Sequence, residues 1–188
     1  MTTKNIWPRL VTVPGLRGSE EAHWQSWLER RYEGAVRVEQ DDWSAPNLRD
    51  WALRVRDTLE SVRGPLVLAA HSYGCLATAH ALAGPLQAEV LGALFVAPAY
   101  PRKFDFAGRF EPRRLGLPSI VVGSTNDPWM PLEGARELAL QLGSGFIHLG
   151  SVGHINTASG FGPWPYGQQL VETLMNAATP LRRGRLAA

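Results

Sequence analysis

The chain has 188 residues, 45% of them hydrophobic, and its 19 basic and 17 acidic side chains leave a formal charge of +2. That length fits one domain, 1–188, which buries about 70% of its unfolded surface. The near balance of charge argues against nucleic acid as a partner, no run approaches the roughly 18 apolar residues of a membrane span, and the single cysteine, Cys75, excludes an intramolecular disulfide framework and suits a reducing cytoplasm.

In chain order, the N-terminal "MTTKNIWPRLVTVPG" is too short in apolar residues for a signal peptide, and Leu10 to Val13 predicts the first strand. A glycine-rich bend, "VPGLRGSEEAHW", leads into a helix over Glu20 to Tyr32 that carries Trp24, Trp27, Leu28 and Tyr32 on one face. A strand at Ala35 to Val38 precedes a helix at Leu48 to Val62, with Asn47 as N-cap and Leu48, Trp51, Val55, Leu59 and Val62 as its apolar stripe. A strand at Pro65 to Ala70, a helix at Tyr73 to Ala83 and a strand at Val90 to Val96 follow. The next connection, Pro98 to Pro118, is longer than a compact domain normally tolerates and is a candidate rim or lid. A strand at Ser119 to Gly123, a helix at Leu132 to Leu142, a strand at Gly145 to Leu149 and a helix at Gln168 to Asn176 complete the set, with 177–188 expected as a loosely ordered tail. Strands alternating with helices predict a mostly parallel sheet covered on both faces, because "PLVLAA" and "LGALFVA" are apolar throughout.

The third strand ends in "AHSYG", the nucleophile elbow G-x-S-x-G with Ala70 in the first glycine's place. Such a turn exposes the Ser72 hydroxyl above the sheet at a helix N-terminus and offers the backbone N–H of Tyr73 to an oxyanion. A serine hydroxyl needs a base, and the base needs an acid to hold its tautomer. The loops after the fifth and sixth strands supply Asp127 in "STNDPW" and His154 in "SVGHIN", in the order Ser, acid, His. The bend after the first strand supplies the second oxyanion donor, with Leu16 the choice and Arg17 next. Among the remaining histidines, His71 is expected to point away from the site, His80 and His148 are expected to be structural, and His23 lies near the oxyanion bend. No cluster has metal-ligand spacing, no cofactor is expected, and Cys75 reads as a small core residue.

The blocks "VPGLRGSEEAHWQSWL", "DDWSAPNLRDW", "LVLAAHSYGCLA", "ALFVAPAYP", "IVVGSTNDPWMP" and, most specifically, "GHINTASGFGPWPYG" resemble the small serine hydrolases that include retinoblastoma-binding protein nine and the bacterial YdeN-like proteins. That resemblance implies a three-layer α/β-hydrolase fold without a cap domain, with Ser72, Asp127 and His154 matching nucleophile, acid and base. The reading is a metal-free serine hydrolase acting on a small carboxylic ester, amide or thioester in a shallow pocket walled by Leu16, Tyr73, Trp129 and the "GFGPWPYG" loop, with Trp129 and Trp164 as substrate contacts. Its rivals are an acyltransferase and a protein-binding module that would present Trp43, Trp129 and Trp164 to a partner.

Overall fold

The computed structural model describes residues 7–104 and 110–185, with 178–185 as backbone only. Strands β1 (Arg9–Val13), β2 (Val36–Arg37), β3 (Leu66–His71), β4 (Val90–Val96), β5 (Ser119–Gly123) and β6 (Gly145–His148) form one parallel sheet in the order β2-β1-β3-β4-β5-β6. Helices α1 (Trp24–Glu29), α2 (Leu48–Ser61), α3 (Tyr73–Leu82), α4 (Leu132–Leu142) and α5 (Pro165–Arg185) lie between and after them.

Alternation along the strands divides the core in two. Val11 and Val13, with Leu66, Leu68 and Ala70, face α2, α3 and α4, where they meet Trp51, Val55, Leu76 and Leu138. Leu10, with Val67 and Ala69, faces the other way onto Trp24 and Leu28 of α1 and Leu170, Val171 and Leu174 of α5. The three layers follow from strands that are apolar on both faces. Strand order reverses direction between β1 and β3, so the loops leaving their carboxyl ends diverge and open a crevice there.

The expected elements are all present, with shifted ends. The first helix is much shorter than Glu20 to Tyr32, because His23 caps it by accepting from Gln25 N–H while Ser26 Oγ bonds the carbonyls of Ser19 and Glu20. Local hydrogen bonds thus hold residues 20–22 as a turn despite their helical composition. α5 starts at Pro165, before the expected Gln168, and continues past Asn176. Residues 105–109 of the expected rim and 186–188 of the expected tail lie outside the described residues.

Candidate active site

Ser72 joins β3 to α3 at φ 54° and ψ −122°, a backbone region an L-residue occupies only under constraint. The constraint comes from β4 and its following loop: Ser72 N–H donates to Val96 O (3.1 Å), and Ser72 O accepts from Ala99 N–H (3.1 Å) and Cys75 N–H (3.0 Å). Two glycines make room. A Cβ on Gly15 would lie 2.7 Å from Ser72 Cβ, and one on Gly74 would lie 2.4 Å from the carbonyl oxygens of both Val13 and Pro14. Because those oxygens belong to backbone that cannot step aside, Gly74→Ala is expected to lower unfolding stability by about 2–3 kcal/mol or more. Gly84→Ala, whose Cβ would meet nothing closer than Arg56 Nη1 at 3.5 Å, is the near-neutral control in urea denaturation.

The loops after β5 and β6 are stitched to each other. Leu149 N–H donates to Gly123 O (3.0 Å), Thr125 N–H to Gly150 O (2.9 Å), Val152 N–H to Ser124 Oγ (3.0 Å) and Gly153 N–H to Asn126 Oδ1 (2.7 Å). Trp24 Nε1–H holds the Ile155 carbonyl from beneath (3.0 Å). This frame sets the His154 Nδ1 2.8 Å and 2.9 Å from the two carboxylate oxygens of Asp127, and its Nε2 2.9 Å from Ser72 Oγ. A carboxylate only accepts, so Nδ1 carries the proton and Nε2 is left to accept from the serine hydroxyl. The His154 and Asp127 side chains are 9% and 1% exposed, which shields the pair from water.

On the facing loop, Arg17 N–H is taken by Trp43 O (2.8 Å) and Gly18 N–H by Gly15 O (3.0 Å), whereas Leu16 N–H makes no hydrogen bond among the described residues. Of the two donors considered in the bend, Arg17 is therefore already engaged. Gln25, buried on α1, holds the bend in place: its Nε2 donates to Val13 O (3.1 Å) and Ala69 O (2.8 Å), where β1 and β3 part, and its Oε1 accepts from Ser19 Oγ (2.6 Å). Tyr73 contributes the first backbone N–H of α3, while its side chain turns into the core and its hydroxyl donates to Pro46 O (2.7 Å).

A cleft of about 450 Å³ opens over Ser72 and His154. Leu16, Phe104, Trp129 and Ala158 form its apolar lining, and Arg17, Glu20, His23, His71 and Asn156 its polar lining. Trp129 is 46% exposed, its N–H donating to Asp127 Oδ1 (2.8 Å) and its ring stacked on Phe104. Trp164 is not a cleft residue: it is buried against Trp24 and Phe161, because the apolar face of α5 needs that ring as packing. Nor does the "GFGPWPYG" loop form the expected wall, a place taken by Asn156 and Ala158. Phe104 brings the long connection to the rim. His71 does not point away; it lines the cleft, and its Nε2–H donates to the His154 carbonyl (2.9 Å). The elbow's geometry was legible in the sequence, but which way its flanking side chains turn was not. Gln25 and Asn126 were missed altogether, since an amide that bonds distant backbone, buried as at Gln25 or exposed as at Asn126, reads in sequence like any other amide.

Among the described residues no group of three or more His, Cys, Asp or Glu is placed to hold a metal. The parallel sheet covered on both faces, with a serine on a strand-to-helix elbow and a His and an Asp on the loops after later strands, defines an α/β-hydrolase with no separate cap domain among the described residues. The family model for serine hydrolases matches residues 10–173. A YdeN-like hydrolase of Pectobacterium atrosepticum is 35% identical, covering 93% of this chain and 92% of its own with a TM-score of 0.82. The ydeN gene product of B. subtilis shares the fold at 22% identity (90% and 99% covered, TM-score 0.73), as does a Bacillus cereus carboxylesterase at 15% (91% and 89%, TM-score 0.59). No curated protein sequence matches the chain. The chain belongs to the serine hydrolase family.

Proposed function

We propose that the protein hydrolyses a small carboxylic ester, or an amide or thioester of similar size, through an acyl-enzyme on Ser72. The observation that carries this is the hydrogen-bonded line from Asp127 through His154 to Ser72 at the floor of an open cleft. Ser72 Oγ attacks the carbonyl carbon as His154 Nε2 takes its proton; Asp127 holds the ring and stabilises the imidazolium. The N–H groups of Tyr73 and Leu16 receive the oxyanion, His154 returns the proton to the leaving group, and water repeats the cycle on the acyl-enzyme.

A binding scaffold without turnover has less support, since Trp164 is packed away, Trp43 rests on Trp51, and only Trp129 of the three stands exposed. Among the described residues no helix is long and apolar enough to cross a membrane. The cytoplasm, where the lone buried thiol of Cys75 stays reduced, is the proposed location. A fluorophosphonate probe is expected to leave one adduct, on Ser72, by peptide mass analysis. An adduct elsewhere, or none, refutes the mechanism.

Substrate size follows from the cleft. Among the described residues the apolar lining near Ser72 is confined to Leu16, Phe104, Trp129 and Ala158, enough to desolvate the first few acyl carbons. Each buried methylene is worth about 0.8 kcal/mol, or roughly fourfold in rate. With p-nitrophenyl esters, kcat/KM is expected to rise from acetyl to about butyryl and then flatten or fall. A continued climb to long chains requires a deep acyl tunnel and overturns the assignment.

A further inference from the structure

Three imidazole rings follow one another along the cleft that holds the nucleophile: His23, His71 and His154, with 4.9 Å between the centroids of each adjacent pair. Their hydrogen bonds assign the tautomers. Gln25 N–H donates to His23 Nδ1 at 3.2 Å, which puts that ring's proton on Nε2. The His154 carbonyl accepts from His71 Nε2 at 2.9 Å, which puts the proton there and leaves His71 Nδ1 bare. Burial keeps both rings uncharged, pushing His23 down to about 4 and His71 well below the ordinary histidine range. A cation on either ring would oppose the imidazolium that His154 forms in the cycle.

One donor and one acceptor are then left over on facing rings. His23 Nε2 is buried without a hydrogen-bond partner. His71 Nδ1 makes no hydrogen bond among the described residues, and the two rings meet edge to face at 60°. An unpaired N–H at such depth is costly, and the neighbouring His71 ring, 4.9 Å away between centroids, carries an unpaired acceptor.

We propose that a small ring rotation lets His23 Nε2–H donate to His71 Nδ1, completing a chain from Gln25 N–H through His23 and His71 to the His154 carbonyl. The chain rests on the reading of His154 as the base, and it makes His23 and His71 positioning residues. It ties the base to α1, whose cap immediately follows the bend that carries Leu16, so the oxyanion donor and the base are held in mutual register.

Two substitutions at His23 separate this role from simple helix capping. His23→Asn keeps an acceptor for Gln25 N–H but has no donor that reaches His71; His23→Gln keeps a donor near the Nε2 position and loses the cap. If the chain positions the base, His23→Asn lowers kcat about tenfold, the worth of one neutral hydrogen bond, with KM unchanged, while His23→Gln stays near the parent in kcat although less stable to urea. A normal kcat in His23→Asn, with or without damage in His23→Gln, overturns the proposal. Independently of any variant, ¹⁵N NMR of the parent enzyme is expected to show His71 Nδ1 shifted upfield as a hydrogen-bonded acceptor. A free-nitrogen signal overturns the chain even when the fluorophosphonate adduct forms on Ser72. Absence of the adduct alongside a hydrogen-bonded signal overturns the reading of the base instead.

Discussion

Ser72→Ala is expected to lower kcat by on the order of 10⁶ while leaving substrate affinity and the fold intact, the cost that loss of the nucleophile carries in serine proteases. The size follows from what is removed: the atom proposed to form the acyl bond, and with it the proton that His154 Nε2 is placed to take at 2.9 Å. The fold survives because the elbow is held through the Ser72 backbone, by Val96, Ala99 and Cys75, and among the described residues the hydroxyl bonds His154 alone. The expected residue of activity, about 10³–10⁴ over water, comes from the oxyanion donors and from binding. Turnover should be measured with an activated ester, and melting compared with the parent. Substantial turnover in a folded Ser72→Ala chain rules out the acyl-enzyme and leaves direct attack by water.

Asp127→Asn is expected to cost about 10⁴ in kcat, the value known for the equivalent change in a serine protease, and here the reason can be traced through one neighbour. Asp127 Oδ1 also accepts from Trp129 N–H at 2.8 Å. In the asparagine variant that N–H retains the amide oxygen at the Oδ1 place, and the amide NH₂ replaces the Oδ2 acceptor that lies 2.9 Å from His154 Nδ1. An NH₂ there can donate only to a bare Nδ1, which moves the imidazole proton to Nε2, the nitrogen that must accept from Ser72. The base is present but in the wrong tautomer. Circular dichroism should be unchanged, and fluorophosphonate labelling of Ser72 should slow in proportion to kcat. Near-normal turnover would assign the acid's role to another carboxylate.

Much of this was legible in the residues themselves. Runs such as "LVLAA" and "ALFVA" have no polar face to offer water, so they had to become strands covered on both sides, and the alternation with helices left a parallel sheet as the economical arrangement. Ser72, Asp127 and His154 were locatable because each sits where an apolar strand gives way to small and turn-forming residues. Such a boundary is local information. The cleft's walls were not legible. Trp129 and Trp164 carry the same side chain in similar proline-flanked loops, yet one stands 46% exposed over His154 and the other is buried under α5 at 7%. Which of them faces substrate depends on what lies across a space that chain order does not describe. The same holds for His71, whose partner is 83 positions away, and for Gln25, which bridges the two strand ends where the sheet's order reverses. Strand and turn identity follow from backbone preference and hydrophobic period over a few neighbours, so the sequence alone determined the elements and the three side chains that the structure brings into one hydrogen-bonded line. The direction of each flanking side chain is set by contacts between distant segments, and only the tertiary structure decided it.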